Sequence, residues 1–197
     1  MPATAAQTLD YTREEYLALD EAAPEGRRWE YDGTRVYLMA GATSEHNQLE
    51  DNVRSALHQR IGPRGCRSYT SDQRVHLPPR YVYPDVVAHC EDGRYTDESP
   101  PSLLNPELVV EVLAKPTMDK DLTWKLHAYQ DIASIQEVWF AWTEQVRVVQ
   151  YARAGRGNER ENGHAWTQRY FEDKGDVLRS EAFDLEIPIA ELYELVL

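Results

Sequence analysis

The hexapeptide EVWFAW (137–142) is apolar on both faces of an extended chain, and LVVEVLA (108–114) is nearly so, with one acid at its middle. A strand that covers a single layer alternates apolar and polar residues, whereas one apolar throughout asks for a layer on each side. EVWFAW therefore predicts a central, doubly covered strand. Between the two runs, 118–132 reads as a helix, with Leu122, Leu126, Tyr129 and, just beyond, Ala133 on one stripe. Upstream, Thr12 and Glu15 form a capping box that opens a short helix over 12–20. WEYDGTRVYLMA (29–40) carries Asp32-Gly33 at its centre, a hairpin signal. A helix is expected over 44–60, stopped by Gly62-Pro63, then strands near 67–77 and 82–89 split by Pro78-Pro79. Residues 91–107 are acidic and Pro-rich and read as a loop. After EVWFAW come strands over 146–152 and 165–171 and a short terminal helix near 189–197. The order is that of a mixed α/β domain, its helices packed against one sheet.

With 197 residues, one domain spanning 1–197 is the expectation. No apolar run approaches the roughly 18 residues of a membrane span, so no membrane partner is expected. The N-terminal segment has no basic start followed by an apolar stretch, so no secretory signal is expected. Cys66 and Cys90 lie far apart in sequence with no CxxC, which argues against a disulfide framework and for a reduced, cytoplasmic protein. The net charge of −13 speaks against a general basic field for nucleic acid. It is unevenly spread: residues 51–90 carry six bases against three acids, while both ends are strongly acidic.

Chemistry is signalled by two acids inside apolar strands, Asp85 in YPDVVA and Glu111 in LVVEVL. Burying a carboxylate costs several kcal/mol unless it is paired or binds a metal. One such acid is commonly a helix cap or an arginine partner. Two on neighbouring strands form an oxygen-rich pair suited to Mg²⁺ or Mn²⁺. Metal-assisted phosphodiester hydrolysis also benefits from a lysine. Lysines are few, at 115, 120, 125 and 174. On a helical wheel Lys125 lies about 60° from Leu122, on the shoulder of the apolar stripe, whereas Lys120 lies about 160° away, toward solvent. Lys115 has the strand parity of Glu111, but Pro116 ends the strand there. A packed amphipathic stem is the ordinary alternative role for Lys125. His46 falls in the first turn of its helix on the apolar face, as a core residue or an orienting group. HExxH, GxSxG, P-loop and GxGxxG patterns are absent.

WEYDG (29–33), SEHN (44–47), YPDVV (83–87), PELVVEVLAKPT (106–117), then Asp121, Lys125 and Tyr129, and EVWF (137–140) follow one another in an order that resembles the Uma-two-type family of restriction endonucleases, within the PD-(D/E)xK nuclease superfamily. The resemblance covers roughly residues 10–195. It implies a restriction-endonuclease-like α/β fold: a mixed β-sheet flanked by helices, an N-terminal hairpin and extra C-terminal strands, with the nuclease core at about 28–145. It implies that Asp85 and Glu111 hold the divalent metal and that Glu30 adds an acid at the site's edge. The superfamily lysine normally stands two residues after the glutamate, where this chain has Leu113. In this family its place is taken from the following helix, which points to Lys125, with Lys115 as the rival. The expected function is Mg²⁺- or Mn²⁺-dependent hydrolysis of DNA by a homodimer or other homo-oligomer, with Asp85, Glu111, Lys125, Glu30 and His46 at the site. The alternatives are a catalytically inactive nuclease-fold module that binds or regulates, and an enzyme acting on another phosphate-containing substrate. Given the charge, metal-dependent and salt-sensitive engagement of DNA is expected rather than tight general binding.

Overall fold

The computed structural model describes residues 10–24, 26–39, 41–114, 121–154 and 165–197, with only the backbone for 121–123. The chain opens with helix α1 (Arg13–Glu21), whose capping box between Thr12 and Glu15 is formed in both directions. Strands β1 (Trp29–Tyr31) and β2 (Val36–Leu38) make the expected hairpin. Gly33 sits at φ +103° in its turn, a conformation open to glycine, while the Asp32 carboxylate accepts the N–H groups of Thr34 and Arg35. Helix α2 (Ser44–Ile61) is capped by the Thr43 hydroxyl, which accepts the His46 N–H. A 3₁₀ turn (Gly62–Arg64) follows.

The two strands expected around Pro78-Pro79 are four. Strands β3 (Arg67–Thr70) and β6 (Val86–His89) pair antiparallel in the large sheet. Strands β4 (Val75–Leu77) and β5 (Arg80–Val82) instead pair with each other across the cis Pro78–Pro79 bond and join β1 in a second sheet. The prolines therefore turn a hairpin rather than separate two long strands, and the helices pack against more than one sheet. β7 (Leu108–Leu113), helix α3 (Asp121–Gln130) and β8 (Glu137–Trp142) form a parallel strand–helix–strand unit. Strands β9 (Val148–Arg153) and β10 (Trp166–Phe171) complete a six-stranded sheet of order β10-β9-β8-β7-β6-β3. The four-stranded sheet has order β2-β1-β5-β4. A further hairpin absent from the sequence reading, β11 (Val177–Ser180) with β12 (Leu185–Pro188), precedes a single terminal turn, α4 (Ile189–Leu192). The expected helix start at Met118 lies outside the described residues.

The central strands are covered twice, as their composition requires. One face packs Val86, Ala88, Val110, Val112 and Trp139 against α2, the C-terminal hairpin and α4, through Leu49, Val53, Leu57, Ile187 and Leu192. The other packs Val87, Val109, Leu113, Val138 and Phe140 against α3 and the small sheet, through Ala128, Tyr129, Val75 and Leu77. Buried Glu137 is a structural acid: it accepts Trp139 Nε1 at 2.8 Å, Gln150 Nε2 at 2.8 Å and the Ser180 hydroxyl at 2.5 Å, tying β8 and β9 to β11.

The expectation of unpaired cysteines is corrected. Cys66 and Cys90 form a disulfide. Arg67 pairs with His89 across β3 and β6, so the residues one step outward, Cys66 and Cys90, face each other. That proximity comes from strand register and is invisible in the spacing of the two cysteines along the chain.

Candidate active site

Side chains alternate along β7, so Glu111 shares the face of Val109 and Leu113, toward α3. Two α3 side chains one turn apart meet it there. Lys125 Nζ lies 3.2 and 3.3 Å from its two carboxylate oxygens, and the Tyr129 hydroxyl donates to Oε1 at 2.5 Å. β6 runs antiparallel to β7 with Val86 opposite Val110, and the preceding residue, Asp85, therefore comes opposite Glu111. The Val112 N–H donates to Asp85 Oδ2 at 2.6 Å, while Asp85 Oδ1 lies 3.3 Å from His46 Nε2 on α2. Glu30 reaches the cluster from β1 of the small sheet. Its Oε1 accepts Lys125 Nζ at 2.8 Å and the Tyr83 N–H at 3.0 Å.

The structure thus brings together all five residues expected at a site: Asp85, Glu111, Lys125, Glu30 and His46. The position two after Glu111 is Leu113, which packs in the apolar cluster beside α3, and the ammonium comes from the helix instead. The rival Lys115, like Lys120, lies outside the described residues. Two residues join the cluster that the sequence reading did not name as site residues. Glu50 stands one helical turn after His46, with Oε2 3.9 Å from His46 Nδ1, and Tyr129 stands one turn after Lys125. The i, i+4 relation to a candidate residue on the same helix is the signal that would have pointed to both.

A polar network supports the Glu30 side. Asp20 of α1 accepts the Trp29 N–H at 3.1 Å through one oxygen, and Arg74 and the Tyr83 hydroxyl at 2.8 and 2.6 Å through the other. Arg74 is fully buried and also donates to Ser102, Glu98 and the Pro100 carbonyl. Glu30 follows Trp29 directly and accepts from the Tyr83 backbone, so this network holds both chain segments that place it.

The electrostatics of the cluster are lopsided. Glu30, Asp85 and Glu111 have side chains 8–10% exposed, and one ammonium, Lys125, stands among them. Burial pushes Glu111 up to about 7, with the Lys125 charge opposing the shift and Asp85 and Glu30 adding to it. Burial pulls Lys125 down, but Glu111 and Glu30 outweigh that and hold it protonated. The Tyr129 phenol is pushed well above its ordinary value by burial and by Glu111, so it donates as a neutral hydroxyl. For His46, burial favours the neutral ring, yet Asp85, Glu50 and Glu111 raise its value on balance. Three buried carboxylates facing one ammonium leave excess negative charge in a poorly solvated place, which a divalent cation would neutralise. The donor set fits such an ion: carboxylate oxygens from Asp85 and Glu111, with Glu50 and an imidazole adjoining.

The fold is shared with a solved structure. The crystal structure of "a putative nuclease belonging to DUF820" from Anabaena variabilis ATCC 29413 aligns with a TM-score of 0.72, covering 95% of this chain and 99% of that one at 16% identity. The Uma2 family, described as "Putative restriction endonuclease", matches residues 13–190, and this chain belongs to it. A Synechocystis relative, the uncharacterised protein sll1609, is 32% identical over 152 residues, which is 76% of this chain and 85% of that protein. Among the described residues no helix is long and apolar enough to cross a membrane.

Proposed function

We propose that the protein is an endonuclease that hydrolyses phosphodiester bonds of DNA with the help of a divalent cation, Mg²⁺ or Mn²⁺. The observation that carries this reading is the convergence of Asp85, Glu111, Glu30 and Lys125 in one buried cluster, in a chain of a restriction-endonuclease family. Asp85 and Glu111 would flank the cation. Bound there, the cation would polarise the scissile phosphate and lower the pKa of a coordinated water.

The chain's own groups supply the rest. An ammonium has three N–H donors. Glu30 and both oxygens of Glu111 engage Lys125 from the protein side, and a donor released from Glu111 when that carboxylate takes the cation would orient the attacking water or offset charge on a phosphorane-like transition state. Tyr129 and Lys125 together fix the Glu111 carboxylate. The Val112 N–H fixes Asp85, so the acids are oriented before substrate arrives. Cutting both strands of a duplex suits a symmetric pair of subunits.

The test is incubation of the purified protein with plasmid and with single-stranded DNA, in Mg²⁺ or Mn²⁺ and in EDTA. Cleavage is expected with either ion and none with EDTA. Asp85→Asn is expected to abolish it, and cleavage that persists in that variant overturns the site assignment. Lys125→Ala is expected to lose activity while Lys115→Ala keeps it, and the reverse outcome would move the lysine's role to the strand end. Metal-dependent DNA retention without cleavage would instead identify an inactive binding module, a reading favoured by the close pairing of Lys125 with two carboxylates.

A further inference from the structure

We infer that helix α2 completes the cation site: His46 and Glu50 are metal ligands beside the Asp85–Glu111 pair, and they hold the cation at the Asp85 oxygen turned toward α2. This rests on the reading above that the cluster binds a divalent ion, and it assigns that ion's anchoring ligands.

The geometry allows little else. His46, Glu50 and Asp85 each offer a ligand atom, and the three atoms lie within 4.8 Å of one another. Two ligands about 2.0–2.2 Å from one ion can stand at most about 4.4 Å apart, so the set closes on an ion with side-chain shifts of a few tenths of an ångström. Each carboxylate also has a direction. Asp85 Oδ2 is taken by the Val112 N–H, which turns Oδ1 toward His46. Glu50 Oε1 faces the Ser71 N–H at 3.4 Å, and its Oε2 lies toward the His46 ring. On the other side, Glu111 Oε1 is engaged by both Tyr129 and Lys125. Glu111 thus shares its charge with the Lys125 ammonium, whereas Asp85 Oδ1 and Glu50 Oε2 are the oxygens turned toward the His46 ring.

An independent observation points the same way. His46 Nδ1 is shielded from solvent and has no hydrogen-bond partner among the described residues. A buried ring nitrogen without a partner is costly in a finished structure, and an ion taken at Nδ1 and shared with Glu50 Oε2, 3.9 Å away, accounts for it. His46 and Glu50 are one turn apart, so both project from one face of α2 toward the start of β6. The apolar face of α2 (Leu49, Val53, Leu57) is packed on the sheet and holds that spacing rigidly. A set of one imidazole and two carboxylates suits a first-row transition ion better than Mg²⁺, which prefers an all-oxygen shell. Mn²⁺ is accordingly expected to bind more tightly than Mg²⁺.

The experiment uses the full chain, stripped of metal and titrated with MnCl₂. Free Mn²⁺ is read by electron paramagnetic resonance, and the bound ion by electron spin-echo modulation. Modulation from a directly coordinated ¹⁴N is expected in the parent and lost in His46→Asn. Glu50→Gln is expected to weaken Mn²⁺ binding at least about tenfold, and Glu111→Gln to weaken it less. Absence of ¹⁴N modulation in the parent overturns the assignment without reference to any variant's folding. Parental Mn²⁺ affinity in both His46→Asn and Glu50→Gln overturns it as well. The assignment and the nuclease reading fail separately. Mn²⁺ bound in this pattern with plasmid left intact upholds the ligands and removes the nuclease. Plasmid cut by the parent whose Mn²⁺ shows no ¹⁴N does the opposite.

Discussion

Replacing Lys125 by Met keeps the length of the stem and removes the charge, leaving Glu30 and Glu111 facing each other without the ammonium that lies 2.8 Å from one and 3.2 Å from the other. At an effective dielectric constant of about 20, each contact is worth roughly 5–6 kcal/mol of attraction before desolvation is counted. Desolvation of the buried ammonium cancels much of that, and removing one partner of a buried pair typically costs about 3–5 kcal/mol. For a chain of this size that is a fall of roughly 6–20 °C in Tm. The loss must depend on pH. Glu111, an acid whose folded value is pushed up to about 7, lends the fold stability that is fully present below its ordinary unfolded value and lost as pH rises through about 7. Without Lys125 the Glu111 carboxyl loses the charge that opposes its rise, so the variant's deficit is largest in alkali and shrinks as acid protonates the cluster. Urea unfolding in EDTA, followed by tryptophan fluorescence at about pH 8.5 and about pH 5.5, measures both quantities. Equal stability of variant and parent at the higher pH would refute the view of Lys125 as the charge that holds the cluster together. A deficit of the same size at both pH values would refute the assignment of its cost to ionised carboxylates.

Two further outcomes test the supports of the site. Arg74→Met leaves buried Asp20, among the described residues, with Tyr83 and the Trp29 N–H as partners of its side chain. It is expected to destabilise by about 3–5 kcal/mol in urea unfolding, and the double change with Asp20→Asn is expected to cost less than the sum of the singles. An additive double variant would show that the two residues are not coupled. Reducing the Cys66–Cys90 bridge, whose sequence separation is 24, is expected to cost about 3.5 kcal/mol on loop-entropy grounds. A thermal melt should fall with a dithiol reductant in the parent and not change in a Cys66→Ser, Cys90→Ser variant. Two free thiols titrating in the untreated parent would show that the bridge does not form.

Much of this architecture is local and therefore legible in the sequence. The Thr12 capping box, the Asp32-Gly33 hairpin, helices α2 and α3 and the apolar strands β7 and β8 each follow from a period or a cap within some twenty residues. Asp85 and Glu111 stand out because a carboxylate inside an apolar strand needs a reason, and Lys125 because a wheel turns it inward. Around Pro78-Pro79 the reading failed. Two prolines mark a turn, but whether the strands beside it continue one sheet or leave for another depends on partners distant in the chain, here β1 and the loop carrying Leu103.

The sequence alone determines which residues can carry the chemistry: acids set in apolar strands, one lysine on the shoulder of an apolar helical stripe, a histidine in a capped first turn. Only the tertiary structure decides which of them meet. Strand register sets Asp85 opposite Glu111 and brings Cys66 and Cys90 together. Packing of α3 over β7 gives Glu111 to Lys125 and Tyr129, and packing of α2 on the opposite face turns His46 and Glu50 toward Asp85. The physical reason is that period and propensity act over one or two turns of chain. The electrostatics of the cluster come instead from desolvation and from charges a few ångströms apart on four elements and the residue before β6, a distance measured through space.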